Sequence, residues 1–180
     1  MAPAAHQAIY FAYGSNMMTT RLQARCTTAR PIGVATLDGY NVGFNKQSSD
    51  GSGKAGLIEE LGATTFGVAF TIDMSDLITL DRFEGTGYAR VSNLMIQMVR
   101  TQGGSAILPS APIDAVSYLP RQITQGLKPY DWYLGLILAG CREHALPETY
   151  WSEIAQAAAD PDPDPSRAAA REAHRLLKSI

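Results

Sequence analysis

The first clear pattern along the chain is a short apolar and aromatic run that ends in small polar residues. Residues 9–12 have the composition of a buried strand, and Tyr13 is followed by Gly14, Ser15 and Asn16. A strand that ends in such a loop can present several backbone amides to an anionic or carbonyl oxygen. The same residues also form ordinary tight turns. This stretch alone therefore leaves both a binding loop and a simple turn open.

The remaining apolar and polar pattern predicts several strands and then several helices. A short helix is predicted directly after the opening loop, over 17–25. Runs rich in β-branched and aromatic residues predict strands at 31–37, 40–44, 55–58, 64–72, 92–99 and 114–119, with Asp38-Gly39 as a hairpin turn. Further helices are predicted at 75–83, 129–140, 147–159 and 166–177. Because these helices are not interleaved strand by strand, the pattern favours an α+β fold with a closed or strongly curved, antiparallel-type sheet over a doubly wound sheet.

The chain divides into one main domain with two flanking segments. Its 180 residues are most economically a single domain. We expect a flexible lead-in at 1–8, the domain at 9–159, and an Asp-Pro spacer with a C-terminal helix or tail at 160–180. The alternating Asp and Pro residues from Asp160 to Pro165 predict a stiff, solvated spacer. The Gly- and Ser-rich stretch from Asn45 to Gly56 predicts a surface loop.

Composition and charge narrow the classes of partner. Hydrophobic residues make up 46% and charged residues 18% of the chain, and 15 basic against 17 acidic side chains give a net charge of −2. This balance shows no electrostatic footprint for nucleic acid or an anionic membrane, so a small-molecule partner is expected. Cys26 and Cys141 lack a metal or redox spacing. No signal peptide or run of about 18 apolar residues is present, and we expect a cytoplasmic protein.

Glu84 is the acidic residue that best fits a chemical role. It lies between Phe83 and Gly85, where a predicted helix gives way to a loop that continues through Gly87 and Tyr88. A tight backbone bend beside aromatic residues can leave a carboxylate partly desolvated, which raises its pKa above about 4.3 and makes it a usable general base or acid. The alternative is that Glu84 ends a helix in water.

Other catalytic arrangements have fewer of their parts. The three histidines, His6, His144 and His174, are scattered, so neither a metal site nor a Ser-His-Asp triad is expected. Cys141 lies near His144 in sequence and is a candidate thiol nucleophile, although a structural role is the simpler interpretation. No nucleotide-binding glycine pattern occurs. Tyr118 ends a predicted strand, where its hydroxyl could line a pocket.

Two stretches together resemble the γ-glutamylcyclotransferase family. Tyr-Phe-Ala-Tyr-Gly-Ser-Asn from Tyr10 to Asn16 is followed by Leu-Asp-Arg-Phe-Glu-Gly from Leu80 to Gly85, and this ordered pair is similar to the family's loop and catalytic segment. The resemblance extends over about residues 9–155, including the strand around Tyr118. It implies a small mixed, mostly antiparallel β-barrel with peripheral helices that acts without metal or cofactor.

The family's typical reaction releases 5-oxoproline from a γ-glutamyl amine or amino acid. By resemblance, Glu84 is the general base and then the general acid. The residues that the resemblance places around the substrate are Tyr10, Phe11, Ala12, Tyr13, Gly14, Ser15, Asn16, Tyr88 and Tyr118. A γ-glutamyl amide already holds its own amine nucleophile, so one carboxyl and an amide-lined loop would suffice.

Several alternatives stay open at this stage. Either Tyr88 or Arg90 could take the pocket position after Glu84. Asn16, where the glutathione-specific branch has Leu, makes the loop less similar to that branch, and the leaving group could be an amino acid, an amine or a biosynthetic intermediate. A non-catalytic small-molecule-binding module on the same barrel is the alternative function, and the oligomeric state is open.

Overall fold

Five strands form a closed barrel in the computed structural model, which describes residues 4, 6–103 and 111–179. The strands are β1 (Gln7–Ala12), β2 (Arg30–Gln47), β3 (Gly53–Asp73), β4 (Tyr88–Thr101) and β5 (Ile113–Pro120). Their order around the barrel is β1-β3-β2-β4-β5. All pairings are antiparallel except the closing one, where β1 runs parallel to β5 with Tyr10 opposite Val116. The predicted α+β class with a mixed, mostly antiparallel barrel is confirmed.

The strands β2 and β3 form one long hairpin where the sequence predicted shorter pieces. Asp38-Gly39 is not a hairpin turn but an irregularity within β2, where Gly39 has a φ of 79° that suits glycine. The predicted surface loop from Asn45 to Gly56 is also wrong, because both of its ends belong to strands and only residues 48–52 turn the chain. The Asn45 side chain donates to the Gly56 carbonyl across the pair at 3.0 Å.

The helices lie outside the strands. They are α1 (Thr19–Gln23), α2 (Met74–Glu84), α3 (Asp131–Glu143), α4 (Glu148–Ala155) and α5 (Ala168–Leu177), with 3₁₀ turns at Ser15–Met17 and Gly85–Gly87. The helix α2 ends at Glu84 and is followed by Gly85, whose φ of 63° favours glycine. As the apolar residues on all its sides predicted, α3 is largely buried. None of the described helices combines the length and apolarity needed to span a membrane.

The two flanking segments differ from the prediction. Of the expected lead-in at 1–8, residues 1–3 and 5 lie outside the described part, while residues 7 and 8 already pair with β3 in β1. The Asp-Pro segment is largely exposed, but it is held in place at Asp162, whose carboxylate accepts hydrogen bonds from the Trp132 indole at 2.9 Å and from Arg167 at 3.1 Å. The tail that follows packs on the domain, because α5 buries its apolar face beside α3.

Candidate active site

Two turns bring the candidate residues to one place. The strand β1 ends at Ala12, and the chain then turns through Gly14 into the 3₁₀ turn Ser15–Met17. A Cβ at Gly14 would lie only 3.1 Å from the Ala55 Cβ, so the loop fits closely against β3. From the other side, α2 ends at Glu84 and points this carboxylate at the same loop.

A pocket with about 320 Å³ of space, including its mouth, lies between these turns. This volume is at the lower end for small-molecule sites. The residues that line the pocket are Tyr10, Tyr13, Gly14, Ser15, Asn16, Ala55, Glu84, Tyr88, Tyr118 and Tyr133. One carboxylate, one amide and five phenols thus face a common space.

The side-chain amide of Asn16 organises the polar groups of the pocket. Its Nδ2 donates to Glu84 Oε1 at 3.0 Å and to the Tyr10 hydroxyl at 3.1 Å. Its Oδ1 accepts a hydrogen bond from Arg25 Nη1 at 3.2 Å. Because a guanidinium can only donate, Arg25 fixes which end of the amide faces Glu84. The Tyr10 hydroxyl accepts from Asn16, so its own proton can point into the pocket.

Burial raises the pKa of the Glu84 carboxyl above its ordinary value. The positive charge of Arg25, the hydrogen bond from Asn16 and the charges of Arg21 and Lys46 oppose this shift without cancelling it. The carboxyl therefore binds a proton more readily than an exposed glutamate does. A group of this kind can take up a proton and return it within one reaction cycle.

Tyr88 and Tyr133 are both tied to the backbone of Ala55. The Tyr88 hydroxyl donates to the Ala55 carbonyl at 2.6 Å, and the Tyr133 hydroxyl accepts from the Ala55 amide at 3.1 Å. Burial raises the pKa of both phenols, which keeps them neutral. These two hydroxyls are held rigidly on the wall of the pocket formed by β3 and α3.

Tyr118 forms the opposite wall through contacts with α2. Its hydroxyl donates to Asp81 Oδ1 at 2.8 Å, its carbonyl accepts from the Tyr13 hydroxyl, and burial raises its pKa. Asp81 is in turn paired with Arg90, whose Nη1 lies 3.1 Å from Oδ2. Tyr88 lines the pocket and Arg90 does not, which answers the question that the sequence left open.

Most of the predicted site residues line the pocket, and two of them do not. Phe11 and Ala12 do not line the pocket, because both are buried in the core at 0% and 1% exposure. A Cβ at Gly67 would lie 2.7 Å from the Phe11 ring, which shows how closely β3 covers that side chain.

Two pocket residues have no signal in the sequence. Ala55 fell in a predicted strand and Tyr133 in a predicted buried helix, and only the tertiary structure places them at the site. A predicted strand or helix gives no indication that its backbone amide or hydroxyl will reach a pocket.

The alternative thiol site is not supported. Cys141 is fully buried, burial raises the pKa of its thiol to about 12, and it does not line the pocket. The His144 ring forms a hydrogen bond with the Thr19 hydroxyl through Nε2 at 3.0 Å. Within the described residues, no group of three or more His, Cys, Asp or Glu side chains is placed to hold a metal ion.

Comparison with known proteins places the chain in a family. The family described as "Gamma-glutamyl cyclotransferase, AIG2-like" matches residues 10–133. The human protein named Gamma-glutamylcyclotransferase is 28% identical over 151 residues, and the match covers 81% of this chain and 76% of the human protein. The bovine protein of that name is 29% identical over 153 residues, with the same coverage of both chains. A solved structure named Gamma-glutamyl cyclotransferase superposes with a TM-score of 0.79 at 25% identity, covering 97% of this chain and 99% of that one. The resemblance and the enzyme class predicted from the sequence are confirmed, and the chain belongs to the γ-glutamyl cyclotransferase, AIG2-like family.

Proposed function

We propose that the protein is a cytoplasmic enzyme that releases 5-oxoproline and a free amine or amino acid from a γ-glutamyl compound, without a metal or cofactor. The observation that carries the proposal is the contact of the Glu84 carboxylate with Asn16 inside the pocket. This contact places a proton-accepting group with a raised pKa beside the loop that would hold the glutamyl head.

The loop can bind the polar atoms of the glutamyl group. The backbone amides of Ser15 and Asn16 begin a 3₁₀ turn, so they have no acceptor within that turn. The neutral hydroxyls of Tyr10 and Tyr133 accept hydrogen bonds from Asn16 and from the Ala55 amide, so each can donate its own proton into the same space. Neutral donors suit an oxygen that becomes negative only during the reaction.

The reaction follows from this arrangement. Glu84 accepts a proton from the substrate's α-amino group, and the nitrogen attacks the γ-carbonyl carbon to form a five-membered ring and an oxyanion. The oxyanion then collapses, the bond to the leaving nitrogen breaks, and Glu84 gives its proton to that nitrogen. No outside nucleophile is required, because the substrate carries its own and the pocket only has to fold it into an attacking geometry.

A product assay tests this proposal. The protein is incubated with a panel of γ-glutamyl dipeptides and γ-glutamyl amines, and 5-oxoproline is measured. We expect product from the wild type and a loss of about 10²- to 10⁴-fold in kcat for Glu84→Gln. No product across the panel would overturn the assignment, and full turnover by Glu84→Gln would overturn the mechanism. Calorimetric binding without product would favour the non-catalytic binding module.

A further inference from the structure

A second groove adjoins the catalytic pocket. It has about 720 Å³ of space, including its mouth, and lies between the tip of the β2–β3 hairpin, the turn after α2 and the segment after β5. We call it the hairpin groove. The residues that line it are Lys46, Gln47, Ser48, Ser49, Thr86, Gly87, Arg121, Gln122 and Thr124.

Tyr88 connects the groove to the catalytic pocket. It lines the pocket, and the centre of its ring lies 5.1 Å from the Nζ of Lys46, which lines the groove. Lys46 reaches this position only because residue 87 is glycine, since a Cβ there would lie 2.4 Å from Lys46 Cε. The Lys46 charge is close enough to Glu84 to act on the pKa of that carboxyl.

The hairpin groove carries positive charge without an acidic partner. Among the described residues, neither Lys46 nor Arg121 forms an ion pair with a carboxylate. Arg121 donates from its Nε to the Tyr88 carbonyl at 3.1 Å, which anchors the guanidinium at the rim of the groove. None of the described residues that line the groove is Asp or Glu, and hydroxyl and amide side chains make up most of the rest of its surface.

We propose that the hairpin groove binds the carboxylate of the leaving group, so that the enzyme prefers γ-glutamyl amino acids and peptides to γ-glutamyl amines. This inference rests on the proposed function. Glu84 must reach the leaving nitrogen to protonate it, and the turn Gly85–Gly87 leads from Glu84 directly into the groove. In an α-amino acid the carboxylate lies two bonds beyond that nitrogen, within the field of Lys46. Arg121, farther out on the rim, suits the more distant carboxylate of a peptide.

Matched substrates test the inference. γ-Glutamyl-alanine and γ-glutamyl-alaninamide differ only in the charge of the leaving group, so their ratio of kcat/KM isolates the contribution of the carboxylate. We expect the wild type to favour the acid about tenfold, and Lys46→Gln to bring the ratio close to one. The control is Lys128→Gln, which removes an exposed lysine that pairs with Asp160 away from the groove, and it should keep the wild-type ratio. Equal losses of both substrates in Lys46→Gln would overturn the inference.

A binding measurement separates this inference from the proposed function. Calorimetry with Glu84→Gln, and with the same variant carrying Lys46→Gln, gives the Kd of both compounds whether or not turnover occurs. Tighter binding of the acid that disappears with Lys46→Gln supports the groove site even if no 5-oxoproline is formed. Equal Kd values for acid and amide, or no binding of either, would overturn it.

Discussion

The amide nitrogen of Asn16 lies 3.0 Å from Oε1 of Glu84, although 68 residues separate the two along the chain. The first residue follows β1, and the second ends α2. A general base must lie within hydrogen-bond reach of the proton it removes, so a substrate held by the loop can be reached by Glu84 only if the carboxylate lies beside that loop. The contact also sets the protonation behaviour of Glu84, since a donor stabilises the charged carboxylate.

Replacing Asn16 by Asp should move the pH dependence of the reaction. The substitution removes the donor to Glu84 and puts a second carboxylate beside it, and both effects raise the Glu84 pKa further. We expect the acid limb of the kcat/KM profile to shift to higher pH, and kcat/KM at neutral pH to fall by about 10²-fold or more. The measurement is 5-oxoproline formation between about pH 5 and pH 9.

Asn41→Asp is the matched control for that experiment. The Asn41 amide also donates to a carboxylate, Glu60 Oε2 at 2.9 Å, but on the exposed hairpin outside the catalytic pocket. This variant makes the same chemical change and should keep the wild-type profile. A shift of equal size in both variants would show that the effect does not depend on the contact between Asn16 and Glu84.

Glu84→Gln should be more stable than the wild type at neutral pH. The folded-state pKa of Glu84 is raised, so ionising the carboxyl costs folding free energy, and its contribution to stability falls as the pH rises above the unfolded-state value of about 4.3. Glutamine is neutral at every pH and avoids this cost. We expect a Tm about 2–4 °C higher at pH 7 and a difference that vanishes below about pH 4.

Thermal unfolding followed by circular dichroism between pH 4 and pH 8 measures this difference. Glu60→Gln shows what the loss of one exposed carboxylate does on its own. A Glu84→Gln variant that is less stable than the wild type at pH 7 would mean that the carboxylate stabilises the fold, and the desolvation argument would then fail.

The order of strands and helices could be predicted from the sequence because most elements carry a clear hydrophobic pattern. The continuity of the long hairpin could not. Residues 59–62 lie inside β3, yet all four are polar, glycine or exposed, and Leu61 is fully exposed. The pairing with β2 on either side keeps this segment in the strand, with Tyr40 opposite Glu59 and Asp38 opposite Thr64. Strand prediction from sequence relies on an alternation of apolar and polar residues with one buried face, so it does not detect a segment that is held in a strand only by pairing with its neighbour.

The sequence predicted the carboxylate, the loop and most of the residues that line the pocket, but not Ala55 or Tyr133. Tyr133 belongs to a helix whose apolar residues face the core, and its hydroxyl reaches the pocket because α3 packs closely on the turn Ser15–Met17. Phe11 was predicted to contact the substrate because it lies within the matching stretch, but its side chain is buried in the core. A stretch of sequence does not distinguish residues that touch a ligand from those that hold the strand in place.

Gly140→Ala should destabilise the protein and disturb the loop. A Cβ at Gly140 would lie 2.7 Å from the Met17 Cβ and 2.8 Å from the Met18 backbone nitrogen, so α3 could no longer approach the turn. We expect a loss of about 1–3 kcal/mol in the free energy of unfolding, with reduced activity. Urea denaturation measures the loss.

Gly135→Ala, in the same helix, provides the comparison. A Cβ there would meet only the Leu177 Cδ1 at 3.1 Å, the end of a flexible side chain, and alanine improves helix propensity by up to about 1 kcal/mol. Its stability should therefore stay within about 1 kcal/mol of the wild type. Similar losses in both variants would show that α3 tolerates no added methyl group, and the specific contact with the turn would lose its support.

Glu172→Ala, in the terminal helix α5, should destabilise the fold and disturb the position of the catalytic loop. Arg21 is buried at 5% exposure, its Nη1 lies 3.0 Å from Glu172 Oε2 in α5, and its Nε donates to the Ser15 hydroxyl at 3.3 Å. Removing Glu172 leaves a buried cation without its carboxylate. Because Glu172 is partly exposed and water can replace some of the interaction, we expect a loss of about 1–3 kcal/mol instead of the full cost of breaking a buried pair.

The activity of this variant shows whether α5 supports the pocket. If Arg21 positions Ser15, kcat/KM should fall severalfold while Glu172→Gln, which keeps an acceptor for Arg21, recovers part of the loss. Arg175→Ala removes an exposed side chain from the same helix and should change neither quantity. A Glu172→Ala variant that loses stability but keeps its full kcat/KM would show that the terminal helix only stabilises the fold. In that case the ion pair between Arg21 and Glu172 would not be needed to position Ser15.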